Sequence, residues 1–221
     1  FVKHIFNVKE QLKRNGFEAV TTKASRTHVE GQILGCDVYE GNISLNKELN
    51  KKINKHNGDT GTDIDCFLYI GDGLFHPKAL LFAQKERSKE EFKEVLMYDP
   101  IGDTFRIFNY KDNEKVMKRL KGNLMKLLAS ENLGFIATIK PGQSFLNLHK
   151  NLQDRYPKKK VYVFLTDNIS EQALEGFPFV DVWINSACPR LGFDDAEHME
   201  KSMVNIVDAL NAEDLVGRLR F

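Results

Sequence analysis

The chemistry available to this chain centres on its cysteines. Cys188 stands in Ser186-Ala187-Cys188-Pro189-Arg190, directly after the apolar run Phe179-Val180-Asp181-Val182-Trp183-Ile184. A thiol at the end of a strand points out of the sheet edge at which α/β proteins bind ligands. Cys36 has a similar setting in Gly31-Gln32-Ile33-Leu34-Gly35-Cys36-Asp37. Two thiols far apart in the chain with loop-like flanks are compatible with a metal site assembled across domains. They do not complete the coordination of any common metal, since an iron–sulfur cluster commonly takes three or four protein ligands. At this level Cys36 and Cys188 read either as an inter-domain ligand pair or as structural thiols. Cys66 differs: it falls inside the apolar run Ile64–Ile70, the setting of a small core hydrophobe.

Other polar candidates sit at expected strand ends. Gly71-Asp72-Gly73 follows a strand and precedes a helix, yet lacks the third glycine of a dinucleotide-binding turn. It reads as a tight turn that uses glycine's conformational freedom, with Asp72 and His76 as polar groups near the strand's carboxyl end. Lys140-Pro141-Gly142-Gln143 has a helix after it. Backbone amides and a helix N-terminus there suit a carboxylate or phosphate, or serve only a connecting loop. His4, His28, His56, His149 and His198 share no ligand spacing, and Trp183 reads as core of its strand.

The 221 residues suffice for one large domain or two smaller ones. Hydrophobic content is 42% and charged content 29%, the balance of a folded globular chain. A net charge of +1 gives no support for direct nucleic-acid binding, which relies on phosphate neutralisation. No apolar run approaches the roughly 20 residues that span a bilayer, and no basic region followed by an apolar stretch opens the chain. Three cysteines without a C-x-x-C pair argue against a disulfide framework and a structural zinc site. The expected location is the cytoplasm, with no membrane partner.

The elements that must position these residues alternate. An apolar stripe at Val2, Ile5, Phe6, Val8 and Leu12 predicts a helix stopped by Asn15-Gly16. Because this helix comes at once, the chain reads as one whose preceding strand is missing. A short strand is expected at Phe17–Thr22, a helix from about Leu45 to Lys55, and turn chemistry at Asn57–Asp63. The run to Ile70 reads as a buried parallel strand, followed by a helix near Lys78 to Gln84. Lys85–Lys93 reads as a solvated loop, Val95–Tyr98 as a strand, and Phe105–Phe108 as an edge pairing. A long helix from Asp112 to about Ala129 carries apolar residues at helical spacing and connects two halves. The second half repeats the alternation: strands at Leu133–Ile139, Val161–Leu165 and before Cys188, with helices at Ser144–Tyr156 and Ser170–Leu174, and helical segments at the close. The fold class is therefore α/β, as two similar domains, residues 1–115 and 116–221, each a parallel-type sheet flanked by helices.

The ordered series goes further than spacing. Gly31-Gln32-Ile33-Leu34-Gly35-Cys36, Tyr69-Ile70-Gly71-Asp72-Gly73-Leu74-Phe75-His76-Pro77 and Lys140-Pro141-Gly142-Gln143 come in turn. Asp167-Asn168-Ile169-Ser170, Ala173-Leu174-Glu175-Gly176-Phe177-Pro178-Phe179 and Ala187-Cys188-Pro189-Arg190 follow. Over nearly the whole chain the series resembles the archaeal diphthamide synthases, the 2-(3-amino-3-carboxypropyl)histidine synthases of the diphthamide biosynthesis protein 2 family.

That resemblance implies three similar α/β domains, each giving one cysteine to a central 4Fe–4S cluster whose open iron position binds S-adenosylmethionine. It implies radical SAM-like cleavage to a 3-amino-3-carboxypropyl radical, transferred to a histidine of elongation factor 2. A homodimer and an electron donor come with it. Cys36 matches the second-domain ligand and Cys188 the third-domain ligand, whereas Cys66 matches none. Nothing resembling the first domain precedes Phe1, so the resemblance implies a chain lacking the N-terminal domain, one cluster ligand short and inactive alone. Gln143, Lys140 and Gly142 are expected to hold the polar end of S-adenosylmethionine, with Arg190 and Asp194 lining the site. The rival expectations are a non-catalytic partner subunit of such a synthase, and a nucleotide-binding α/β protein using the Gly71-Asp72-Gly73 turn.

Overall fold

A computed structural model describes residues 4–21, 27–35, 64–138, 148–166, 169–193 and 200–219. The helix expected from Leu45 to Lys55 and the turn at Asn57–Asp63 lie outside these residues. The chain divides into two compact units, Phe1–Asp112 and Asn113–Phe221.

The first unit opens with α1 (Ile5–Arg14), which stops where the sequence places Asn15-Gly16. The Asn15 amide and side chain both donate to the Gln11 carbonyl, and Gly16 takes φ 84°, closing the helix in the left-handed region. The strand expected from Phe17 does not form over residues 17–21. Alternation is necessary for a strand but needs a partner ladder. Thr21 bonds instead through its side chain to Glu30.

Strand β1 (Cys66–Ile70), helix α2 (Phe75–Ala83) and β2 (Glu94–Asp99) form a right-sized crossover unit, with β1 and β2 parallel. Helix α2 begins before Lys78 because Pro77 sits in its first turn, where no backbone donor is required. Strand β3 (Thr104–Phe108) is antiparallel to β2, so this sheet is mixed rather than parallel. The Pro100–Asp103 connection is far shorter than the dozen or so residues a parallel return needs. Asp99 Oδ1 accepts from the amides of Ile101 (2.9 Å) and Gly102 (3.2 Å) to close that turn. Leu80, Leu81, Ala83 and Val95 form the core between helix and sheet, with Ile33 and Phe67 packed on it. The Lys85–Lys93 run is a loop, but Lys85 is buried, its ammonium 4.6 Å from the Phe82 ring centre.

Helix α3 (Tyr110–Ala129) buries Met117, Leu120, Leu124 and Leu127 at helical spacing. The second unit then alternates β4 (Asn132–Ala137), α4 (Leu148–Arg155), β5 (Lys160–Leu165), α5 (Glu171–Glu175) and β6 (Val182–Asn185). It ends with β7 (Met203–Asn205), α6 (Ile206–Leu210) and α7 (Ala212–Arg218). The sheet is fully parallel in the order β5-β4-β6-β7. Strand β7 replaces part of the expected helical close. Met203-Val204-Asn205 is too short for its period to show in the sequence. Among the described residues the two sheets thus differ in strand number and in strand direction.

Trp183 on β6 is fully buried, as expected, and meets Phe164 edge-on at 4.8 Å. Its partner in the β4 register is Gly134, where an added Cβ would lie 2.5 Å from the indole. Gly134→Ala is therefore expected to overpack the sheet and destabilise the fold by about 1–3 kcal/mol, read as a lower urea midpoint. At the amino end of β4, Asp181 Oδ2 accepts from the amides of Asn132 (2.9 Å) and Glu131 (3.3 Å). The Asn132 amide, chiefly, holds this carboxyl below its ordinary range. Because the folded value is depressed, the stabilisation is complete above the unfolded pKa of about 3.9 and is lost as pH falls through the folded value. Asp181→Ala is expected to lower Tm by about 2–4 °C at neutral pH, a modest effect for a solvent-screened group. That gap from the unsubstituted chain should close in acid. A gap independent of pH would show that the carboxylate is not the source.

Candidate functional site

The strand order of the second unit creates one topological switch. The chain leaves β4 for β5 on one side and returns to β6 on the other, so connections diverge at the carboxyl ends of β4 and β6. Open parallel sheets bind ligands in that crevice. Cys188 lies there, just beyond β6, as a free and half-buried thiol. The residues after Thr138, including Lys140, Gly142 and Gln143, lie outside the described residues, as do Cys36 and Asp194. Their expected roles have no geometry to set beside them.

The turn carrying Cys188 is built from the strand end outward. Ser186 donates through its amide (3.1 Å) and its hydroxyl (2.8 Å) to the Ile136 carbonyl, tying the turn to β4. Pro189 opens a short 3-10 helix, Pro189–Gly192, and restricts Cys188 to an extended conformation, φ −69° and ψ 122°. The Cys188 carbonyl accepts from the Leu191 amide at 3.1 Å and from Asn185 Nδ2 at 2.8 Å. Asn185 Nδ2 also lies 2.7 Å from Asn205 Oδ1, and Asn205 Nδ2 donates to the Pro189 carbonyl at 2.8 Å. Both asparagines are almost completely buried. Arg190 sits in the same 3-10 helix, partly buried, close in sequence to the thiol.

Asn185 and Asn205 are the supporting residues that the sequence reading missed. Each ends an apolar run, Val182-Trp183-Ile184-Asn185 and Met203-Val204-Asn205, and the two are partners in the β6–β7 register. An asparagine closing a buried strand is the signal that was available, and it went unread because β7 was not recognised as a strand.

In the first unit, the segment leading to Cys36 is seated at the carboxyl end of β1. Gly35 is buried, and an added Cβ would fall 1.7 Å from the Phe75 ring, so only glycine fits. Next to Phe75, His76 Nδ1 lies 3.0 Å from the Tyr69 hydroxyl, the two rings stacked at 5.5 Å. Burial first, then the Asp72 and Asp99 carboxylates, push the Tyr69 phenol up. Gly73 has φ 68°, which accounts for glycine in the Gly71-Asp72-Gly73 turn.

Cys66 is not the core residue expected. It is exposed at the first position of β1, the amino end of the strand. A strand-end residue on an uncovered face escapes burial even inside an apolar run. It therefore lies at the other end of the sheet from Gly35 and His76. Among the described residues, no three His, Cys, Asp or Glu side chains cluster as a metal site.

Residues 1–214 match the family profile described as "Putative diphthamide synthesis protein". The chain belongs to that family. A 2-(3-amino-3-carboxypropyl)histidine synthase of Pyrococcus horikoshii is 29% identical over 198 residues, covering 87% of this chain and 49% of the relative. The subunit 1 protein of that activity from Schizosaccharomyces pombe is 25% identical over 199 residues, covering 87% of this chain and 39% of the relative. The fold superposes on crystalline Dph2 from Pyrococcus horikoshii, solved with a 4Fe–4S cluster, at a TM-score of 0.69 and 25% identity. That superposition covers 99% of this chain and 55% of the Pyrococcus chain. The chain spans about half the length of these relatives.

The two described cysteines differ in environment. Partial burial, then the neighbouring Asp65 and Glu94 carboxylates, raise the Cys66 thiol. Its alkylation is expected to rise with pH along a curve centred above the ordinary thiol range of about 8.5. Glu94→Gln should move that curve down, as read by peptide mass after iodoacetamide treatment. A midpoint at or below the ordinary value would overturn this account.

Proposed function

We propose that this chain forms part of a 2-(3-amino-3-carboxypropyl)histidine synthase acting in the first step of diphthamide biosynthesis. The observation that supports this reading is the placement of Cys188: a free, partly exposed thiol at the switch point of a parallel sheet, in a chain of this family. The described residues fit an iron–sulfur group at that place. The donor is a soft thiol outside any disulfide, and the backbone on its carboxyl side is pinned by side chains and by a 3-10 helix.

In this reading Cys188 and Cys36 hold a 4Fe–4S cluster, and residues 1–115 and 116–221 correspond to the second and third family domains. Cys66, at the amino end of β1, has no ligand role in this reading, and the family's third cysteine ligand is not among these 221 residues. When bound, the cluster supplies the electron that breaks the bond between sulfur and the γ-carbon of S-adenosylmethionine. The chain's own residues bind and orient that substrate. The guanidinium of Arg190, beside the thiol in sequence, suits the amino-acid carboxylate of the substrate, because a planar fork of donors matches two carboxylate oxygens. Lys140, Gly142 and Gln143, which follow β4 in the sequence, and Asp194, which follows the 3-10 helix, complete the polar set for that substrate in this reading. The acceptor is a histidine of elongation factor 2, in the cytoplasm, and the assembly is a homodimer served by an electron donor.

Anaerobic reconstitution of the full-length protein with iron and sulfide tests the assignment. Cys188→Ala is expected to lose cluster absorbance and S-adenosylmethionine cleavage by more than the roughly 10–100-fold typical of changes in the supporting shell. Cys66→Ser should leave both unchanged. Retention of full absorbance and cleavage by Cys188→Ala would remove Cys188 from the ligand set.

A further inference from the structure

The buried asparagine pair beneath the Cys188 turn has a direction. The Ala187 amide donates to Asn185 Oδ1 at 3.0 Å, which fixes the orientation of that side chain. Asn185 Nδ2 must then face the Cys188 carbonyl at 2.8 Å and Asn205 Oδ1 at 2.7 Å. With its oxygen engaged, Asn205 must turn Nδ2 to the Pro189 carbonyl at 2.8 Å. Reversing either amide would set oxygen against oxygen or hydrogen against hydrogen, so only one arrangement satisfies all the groups. The relay starts at an N–H, ends at a carbonyl, and touches the backbone on both sides of Cys188.

The packing around it permits no substitute. Asn185 and Asn205 are 2% and 3% exposed, so water does not replace a lost partner. An added Cβ at Gly192 would lie 2.3 Å from Asn205 Oδ1, which shows how closely the 3-10 helix is drawn onto the pair. Ala187 and Ser186, which precede the thiol, are also buried. Cys188 alone of Asn185–Cys188 is partly open to the crevice.

We propose that Asn185 and Asn205 are positioning residues that aim the Cys188 sulfur into the crevice. They set the backbone of Ala187, Cys188 and Pro189 before any ligand arrives. The assignment rests on Cys188 being the metal-binding thiol of this unit. A preset sulfur matters because a thiol supplied by a lone turn, without a second cysteine nearby in sequence, has only its backbone to hold it in place.

Labelling of the purified chain with iodoacetamide tests the positioning, with Cys66 of the same molecule as internal reference. Asn205→Leu keeps the branched shape but removes the two hydrogen bonds of Asn205, to Asn185 and to the Pro189 carbonyl. It is expected to raise the Cys188 labelling rate about tenfold, as release of a locally pinned turn requires, with Cys66 unchanged. Asn205→Asp keeps the oxygen facing Asn185 but sets a second oxygen against the Pro189 carbonyl in a buried site, and should give a rise at least as large. In the anaerobically reconstituted protein, Asn205→Leu is expected to shift the electron paramagnetic resonance signal of the reduced iron–sulfur group, a signature that a purely structural role would leave in place. Unchanged Cys188 labelling and an unchanged signal in a folded Asn205→Leu variant would overturn the proposal. If the variants do not fold, native-state hydrogen exchange in the unsubstituted chain decides. The Ala187 and Leu191 amides are expected to be protected to within about tenfold of the strand amide of Trp183, and exchange at the free-peptide rate would overturn it. The ligand reading fails separately, through Cys188→Ala binding as much iron and sulfide as the unsubstituted protein.

Discussion

The parallel pairing of β4 with β6 is the constraint on which the second unit depends. Strand β6 is buried along its whole length, with Gly134 opposite Trp183 so that the indole lies flat against the neighbouring strand. A strand buried on both faces has no solvent to satisfy polar groups at its end. Its carboxyl end can turn outward only if the departing backbone is bonded to something already inside. Ser186 on the Ile136 carbonyl and Asn185 on the Cys188 carbonyl meet that demand. The accessible thiol follows from this burial: the residues before it are locked, and the first side chain free to face the crevice is Cys188.

Much of the fold was legible because helices and central strands announce themselves by period. The long helix α3 shows its Met117, Leu120, Leu124 and Leu127 stripe in the bare sequence. The apolar runs of β4 and β6 read as buried strands for the same reason; β1, whose run reads alike, is instead an edge strand among the described residues, with no residue fully buried. Direction was less legible. Strand β3 was read as an edge partner, yet the sheet was taken as parallel throughout, although the short Pro100–Asp103 connection permits only a hairpin. Strand β7 was lost because three residues carry too little pattern. The strand expected at Phe17–Thr22 does not form over its described residues, 17–21, since alternation says nothing about whether a partner ladder exists.

The site was legible in part for a different reason. Cys188 stood out because a cysteine followed by proline at a strand end is chemically conspicuous. Its supports did not, because asparagine is common in turns and becomes diagnostic only when a register places it beside another. Asn185 and Asn205 are far apart in sequence and adjacent only through the β6–β7 pairing. Cys66 shows the converse. Its apolar neighbours argued for burial, but the first residue of a strand on an uncovered face is exposed. Local composition predicts average burial along a run, while position within the element decides it for a single residue.

A metal-binding loop that holds several cysteines close together carries its own geometry, since each ligand restrains the next. A ligand set drawn from separate α/β units has no such mutual restraint, so each unit must hold its own thiol in place. The described residues of the two units offer restraint by different means. Around Gly35 it is steric: Phe75 occupies the space any side chain would need, which fixes the approach of the segment leading to Cys36. Around Cys188 it is polar: a one-way relay of buried amides fixes the carbonyls of Cys188 and Pro189. Steric exclusion tolerates loss of a hydrogen bond but not an added methyl group, and a buried relay tolerates neither a reversed amide nor a missing donor. Glycine at the one site and paired asparagines at the other are thus two ways of restraining a segment at a sheet's carboxyl end.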